Sequence, residues 1–245
     1  MSHTVAIMQP TYLPWCGYIN MVDQVDQFIL YDTVQFTHKT WQHRNRIRGR
    51  DGNLIWLTIP TQKPHRQPIS NIRIAGDTWR TKHWRSIEAA YSHTPHWDDL
   101  RDVLEPTYHI PWKYLADTTT NLIYEIATYL GITTSIIRAS TDIPETRTGK
   151  LQRIEDTLRA VAATHFLEPL AVDNLHILGN TTPTHVANAK LVWHHYTPVE
   201  YQQGNMHWQP YLSVIDTIAW HGKGALDIIR AGATERTPRD KAWMG

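Results

Sequence analysis

A single cysteine, Cys16, stands in the 245 residues. That excludes a disulfide framework and any cage of thiolates around zinc. Phenylalanine is nearly as scarce, with 3 residues, and no stretch approaches the ~20 apolar residues that a membrane-spanning helix needs. Neither sign of charge dominates: 24 Lys and Arg against 23 Asp and Glu leave a formal net charge of +1, so no large basic face is implied. The opening Met1-Ser-His-Thr-Val-Ala-Ile-Met-Gln-Pro lacks a basic segment followed by a long apolar one, and the expectation is a cytoplasmic protein. No Gly-x-Ser-x-Gly elbow, His-Glu-x-x-His helix or paired-cysteine zinc pattern is present.

What is abundant is informative. The chain is 41% apolar and holds 11 Trp and 11 Tyr, too aromatic for a disordered chain and long enough to bury a core. Trp and Tyr carry a hydrogen-bonding end on a large ring, which suits half-wet clefts that hold sugars, bases or other polar ligands. The 15 histidines are scattered. His194 and His195 are neighbours on an expected strand, so they point to opposite faces, and no metal site is assigned.

The order of apolar patterns predicts an α/β fold. Thr4-Val-Ala-Ile-Met is a short apolar run stopped by Gln9-Pro10, the signature of a buried strand. Tyr18, Met21, Val22 and Val25 then recur at helical spacing, and Phe28-Ile-Leu-Tyr is a second strand. Strand, loop, helix and strand within ~35 residues is the size of a βαβ unit, which implies parallel pairing. Further strands are expected at Leu54 to Ile59, Ile69 to Ile74, Thr134 to Ser140, His165 to Leu167, Leu191 to Trp193 and Val199 to Tyr201. Helices are expected at Thr78 to Tyr91, Trp97 to Glu105, Trp112 to Leu130, Lys150 to Ala162 and Leu212 to Ala219. The fold expected is a parallel, Rossmann-like sheet flanked by helices. Residues 1–230 form one α/β unit with a helical insert around 78–130, and 231–245 are a C-terminal tail.

Ligands of parallel sheets bind at the C-terminal ends of the strands. Gln9, Tyr12 and Trp15 follow the first strand, and Asp32 and Gln35 follow the second, so these groups meet at one sheet edge if the two strands are neighbours. Trp41-Gln-His-Arg-Asn-Arg-Ile adds Gln42, Arg44, Asn45 and Arg46 beside a stacking ring. Arginine forks bind phosphate or carboxylate bidentately. Basic residues interleaved with aromatics are also a footprint of nucleic-acid binding, although the small net charge makes the phosphate of a small nucleotide the simpler reading. The alternative is a solvated basic hairpin. Thr148-Gly-Lys places Lys150 at a helix start, where backbone N–H groups favour an anion, but it falls far short of a phosphate-binding loop. Lys82 lies on the central helix, as either a cleft residue or a solvated one.

Three successive segments resemble the signatures of the WbqC-like family: Ile7-Met-Gln-Pro-Thr-Tyr-Leu-Pro-Trp-Cys-Gly-Tyr, Tyr31-Asp-Thr-Val-Gln-Phe and Trp41-Gln-His-Arg-Asn-Arg-Ile. Trp56-Leu-Thr-Ile-Pro and Gln209-Pro-Tyr-Leu-Ser-Val-Ile-Asp extend the resemblance, and the latter adds Tyr211 to the candidates. The chain departs from that pattern at Thr33 (usually acidic), at His43 (usually Asn) and at Glu168-Pro-Leu-Ala, where a Ser-Gly-rich loop is expected. The resemblance implies a role in surface-polysaccharide synthesis. There the chain would act as a transferase or ligase that joins an acyl or aminoacyl group, such as glycine, to an amine on a nucleotide-linked amino sugar. Arg44, Arg46 and Lys150 would then hold phosphates, Trp41 and Tyr12 would stack, and Asp32, with Gln35 and Lys82, would serve the reacting amine. The layout is also similar to adenylating ligases of the HUP class, which makes ATP with Mg a candidate cofactor, although Trp15 and Tyr18 stand where those enzymes have histidines. Two other readings stay open: an amino-acid transferase acting on a nucleobase in DNA or RNA, and a binding module for a sugar nucleotide without catalysis.

Overall fold

A computed structural model describes residues 2–62, 66–144, 149–169 and 184–233. The chain opens with β1 (Thr4–Met8), α1 (Cys16–Asp23) and β2 (Gln27–Leu30). β1 and β2 pair in parallel, with Val5 opposite Gln27 and Met8 opposite Leu30. A hairpin of β3 (Arg44–Arg48) and β4 (Leu54–Thr58) follows, then three helices: α2 (Thr78–Tyr91), α3 (Trp97–His109) and α4 (Leu115–Tyr129). Next come β5 (Ser135–Arg138), the short α5 (Ala139–Asp142), α6 (Lys150–Ala160) and β6 (His165–Pro169). β7 (His185–Val186), β8 (Ala189–His194), α7 (Val214–His221) and α8 (Ala225–Ala231) complete the described elements.

Six strands form one sheet in the order β5-β2-β1-β6-β8-β7, parallel throughout except for β7, which runs against β8. The chain leaves β1 toward β2 and β5 on one side and returns to fill β6 and β8 on the other. The reversal falls between β1 and β6. At such a switch point two adjacent connections diverge and leave a crevice at the C-terminal strand ends.

The central strands β1, β2 and β6 are covered on both sides, so their residues alternate between two cores. Ala6, Phe28, Leu30 and Leu167 face a core shared with α1–α4, α7, α8 and the hairpin. Val5, Ile7, Ile29, Phe166 and Trp193 face a second core closed by Leu151, Ile154 and Leu158 of α6. Helices therefore cover both faces of the sheet.

Three expected elements differ. Arg44–Arg48 is a strand whose polarity conceals its period of two: Asn45 and Ile47 turn inward while the arginines turn out. Residues 69–74 form no strand; Ile69–Asn71 is a single 3₁₀ turn, and Ile74 makes only an isolated bridge to Thr61. Val199 to Tyr201 is loop, because no strand of the sheet lies beside it. The expected C-terminal tail falls outside the described residues after position 233.

The ion pair that ties β5 to β2 is the most exacting part of this frame. Asp32, two residues past β2, is fully buried and meets Arg138 at the end of β5 at 2.8 Å. Removing one partner of a buried pair strands the other charge, at a cost of about 3–5 kcal/mol. Arg138→Ala is therefore expected to lower unfolding stability by about that amount in a urea titration. A loss below about 1 kcal/mol would show that the pair is dispensable.

Candidate functional site

The loop after β1 and the hairpin are stitched together at the C-terminal edge of the sheet. Tyr12 N–H donates to the Trp41 carbonyl at 2.9 Å, and Asn45 Nδ2 donates to the Leu13 carbonyl. Gln42 Nε2 donates to Gln9 Oε1 at 2.6 Å, while Gln42 Oε1 accepts from the Thr37 N–H at 2.8 Å. On the far side of the hairpin, Ser213 N–H donates to the Arg46 carbonyl, and Val214 N–H donates to the Pro14 carbonyl at 2.8 Å. The hairpin is thus a rigid flap beside the β1 terminus.

Its outer face carries Arg44, Arg46 and Arg48 from β3 and Leu54, Trp56 and Thr58 from β4. Trp41 and Trp56 stack at 5.8 Å with 28° between their planes, yet each remains nearly half exposed, at 48% and 46%. The Arg44 guanidinium sits 4.4 Å from the centre of the Trp56 ring. Arg46 Nε donates to the Tyr211 carbonyl at 3.4 Å. Among the described residues no carboxylate forms an ion pair with Arg44 or Arg46. Arg48 is committed instead: Nη1 donates to Gln203 Oε1 at 2.9 Å and to the His207 carbonyl at 2.6 Å. Gln203 in turn donates to Asp216, which also accepts from Tyr91 and Tyr201. Burial pushes the Asp216 carboxyl up to about 6 despite these bonds. The aromatic band continues through exposed Tyr211 to Trp15, 5.6 Å away, whose other edge meets Tyr196 at 5.3 Å.

His43, beneath this face, is fixed in one tautomer. Its Nε2 accepts from the Lys39 N–H at 3.0 Å, so the ring proton is on Nδ1, which donates to the Ile59 carbonyl at 3.0 Å. Burial keeps its pKa below the ordinary histidine value.

Several expected site residues lie elsewhere. Asp32 has no solvent-facing oxygen: it accepts from Arg138 Nε and Nη2 at 3.0 and 2.8 Å and from Ser140 N and Oγ at 2.9 and 2.7 Å. These four bonds make it an anchor of the β5–α5 turn rather than an open base. Tyr12 is fully buried, its hydroxyl 2.8 Å from His83 Nδ1 and 2.6 Å from the Tyr108 hydroxyl, so it cannot stack on a ligand. Burial lowers the His83 pKa to about 4, which keeps that ring neutral. Lys82 is on the exposed side of α2, and His83 takes the inward position. Gln35 is exposed and bridges Pro68 by its backbone. Lys150 is exposed at the start of α6, on the opposite sheet face from the hairpin. Asn45 and Gln42 are buried connectors. The structure brings together Gln9, Gln42, Trp41, Arg44, Arg46, Tyr211 and Trp15, and it adds Trp56. An outward Trp directly across the ladder from Arg46 was the available signal for Trp56.

A second missed residue is Glu168. It lies near the C-terminal end of β6, beside Trp193 of β8 and one step beyond the Ala6–Leu167 pairing with β1. Burial alone pushes its carboxyl up to about 8. Among the described residues no group of three or more His, Cys, Asp or Glu could hold a metal ion. A shallow depression lined by Leu158, Ala163 and Asn188 lies at the other, N-terminal edge of the sheet, away from these groups.

The chain matches the WbqC-like protein family over residues 9–228 and belongs to it. Among curated proteins it is similar to the uncharacterized protein Rv1507c of Mycobacterium tuberculosis (strain ATCC 25618 / H37Rv). The two are 37% identical over 166 residues, which is 66% of this chain and 71% of that protein. No solved structure matches the chain. No helix among the described residues is long and apolar enough to cross a membrane.

Glu168 gives a pH signature with a definite sign. An unfolded glutamate ionises near 4.5, whereas folded Glu168 holds its proton to about 8. Between these values the unfolded chain ionises and the folded chain does not, so folding loses stability as pH rises through this window. Glu168→Gln lacks this loss. The variant should melt above the wild type at pH 8, by ~1 kcal/mol or more and hence about 2–4 °C, and the gap should close below pH 4. A gap independent of pH in scanning calorimetry would contradict the assignment.

Proposed function

We propose that this protein is a transferase or amide-forming ligase that attaches an acyl or aminoacyl group, such as glycine, to an amine on a nucleotide-linked amino sugar. The observation that carries this reading is the exposed Trp41–Trp56 stack with Arg44 over it and Arg46 beside it. Two rings offer stacking area to a base. Two guanidiniums without carboxylate partners offer bidentate bonds to a diphosphate. Both guanidiniums are partly exposed on the outer face of the hairpin, where an anionic ligand can reach them. The platform is tied to the β1 terminus through the Gln9–Gln42 bond. A nucleotide held on the hairpin would therefore lay its sugar toward the strand ends, where ligands of such sheets react. Gln9 is exposed there as a polar contact.

A second reading has its own support. β3 presents Arg44 and Arg46 at alternate positions, and two adjacent rings could stack two successive bases, an arrangement suited to a single strand of DNA or RNA. In that case the amine acceptor is a nucleobase.

Calorimetric titration with UDP-glucosamine separates these readings. The wild type should bind it, and Arg44→Ala with Arg46→Ala should weaken binding about tenfold or more, as expected for losing charge-assisted bonds. Unchanged affinity in the double variant would overturn the platform. Tighter binding to an oligonucleotide that collapses steeply between 50 and 200 mM salt would favour the nucleic-acid reading.

A further inference from the structure

Gln9 is exposed at the end of β1, yet it is held from two sides. The hydroxyl of the buried Tyr18 donates to the Gln9 carbonyl at 3.0 Å, and Gln42 Nε2 donates to Gln9 Oε1 at 2.6 Å. An exposed glutamine ordinarily keeps its rotamer freedom, and fixing it costs entropy. Here Gln42, a fully enclosed residue at 3% exposure, does the fixing.

The direction of these bonds is forced. A backbone N–H can only donate, so the Thr37 N–H, 2.8 Å away, selects the oxygen of the Gln42 amide. Thr37 is itself held, since its carbonyl accepts from Thr40 Oγ1 at 2.8 Å. The other end of the Gln42 amide is then its NH₂, which also can only donate, and Gln9 must meet it with Oε1. What remains outward is the Gln9 NH₂, and among the described residues it has no protein acceptor. The relay from Thr37 through Gln42 thus turns a two-sided amide into a fixed hydrogen-bond donor beside the hairpin.

A fixed donor selects acceptors. It cannot receive the N–H groups of an ammonium, so the sugar nitrogen is not what it meets. The phosphates have the Arg44 and Arg46 guanidiniums, whose charge makes the stronger bond to an anion. A neutral NH₂ matches a neutral carbonyl oxygen, and acyl transfer to an amine has one in the acyl donor and again in the amide it forms. We propose that Gln9 Nε2 holds the carbonyl oxygen of the acyl group, and that Gln42 is the positioning residue that sets its polarity. The inference rests on the proposed acyl-transfer function and deepens it by naming the group that recognises the acyl end. The same bond favours the negative charge that gathers on a carbonyl oxygen under attack by an amine.

The test compares UDP-N-acetylglucosamine, whose sugar carries an acyl carbonyl, with UDP-glucose, which has the same nucleotide and no carbonyl on its sugar. In calorimetric titrations of the full chain the wild type should prefer the first by about three- to tenfold, the range for one neutral hydrogen bond. Gln9→Ala should abolish the preference. Gln42→Glu should abolish it too without touching Gln9, because a carboxylate offers only acceptors and Gln9 must turn its NH₂ inward to meet it. Loosening of the loop or added charge acts on both ligands alike and cancels in the ratio. A ratio that survives Gln42→Glu, or an equal loss for both ligands in Gln9→Ala, would overturn the proposal. In the free protein, the ¹⁵N side-chain signal of Gln9 should relax like the backbone, and Gln42→Glu should move its protons downfield as they come to donate to a carboxylate. A freely tumbling Gln9 amide in the wild type would also overturn it. Binding of neither sugar nucleotide would overturn the function proposed above and the acyl assignment with it. If both bind and sense Arg44 and Arg46 but show no preference, the platform stands and this inference alone falls.

Discussion

Everything at the C-terminal edge depends on β1 being paired in parallel on both sides, with β2 on one and β6 on the other. That double pairing makes β1 a central strand of the sheet, and it sets the β1 terminus, Gln9, between the hairpin on one side and Glu168 on the other.

Around that edge the molecule holds several closed polar networks. Asp32 and Ser140 are joined to Arg138, which also pairs with Asp117, and Arg48, Gln203 and Asp216 are linked with Tyr91 and Tyr201. Tyr12, His83 and Tyr108 form a third closed group. These networks specify the positions of loops and of the helices α2, α3 and α7, because a partly satisfied buried network is costlier than none. Among the described residues Arg44 and Arg46 have no carboxylate partner.

Much of the frame was legible in the sequence because its signals are local. The β1-α1-β2 unit fits within ~35 residues, and its apolar runs are bounded by Pro10 and Asp32. The helix of Leu115, Leu122, Ile123 and Ile126 announces itself by spacing. What could not be read locally depends on partners far along the chain. Tyr12 looks like a loop aromatic until α2 and α3 close over it with Trp79 and Tyr108. Asp32 looks like a free carboxylate until Arg138, more than a hundred residues later, arrives beside it through β5. Glu168 became notable only when β6 was placed against β1. The basic stretch at 44–48 was recognised as a candidate by its arginines, yet its strand was hidden because the inward positions are one amide and one isoleucine.

The account's central claim is that an anionic, ring-bearing ligand lies on the hairpin and extends toward the β1 terminus. The most direct measurement is an NMR titration of ¹⁵N-labelled tryptophan side chains with UDP-glucosamine. The account requires the indole signals of Trp41 and Trp56 to move together, while those of the buried Trp79 and Trp193 stay in place. Stationary Trp41 and Trp56 signals, alongside shifts at rings on other faces, would contradict it.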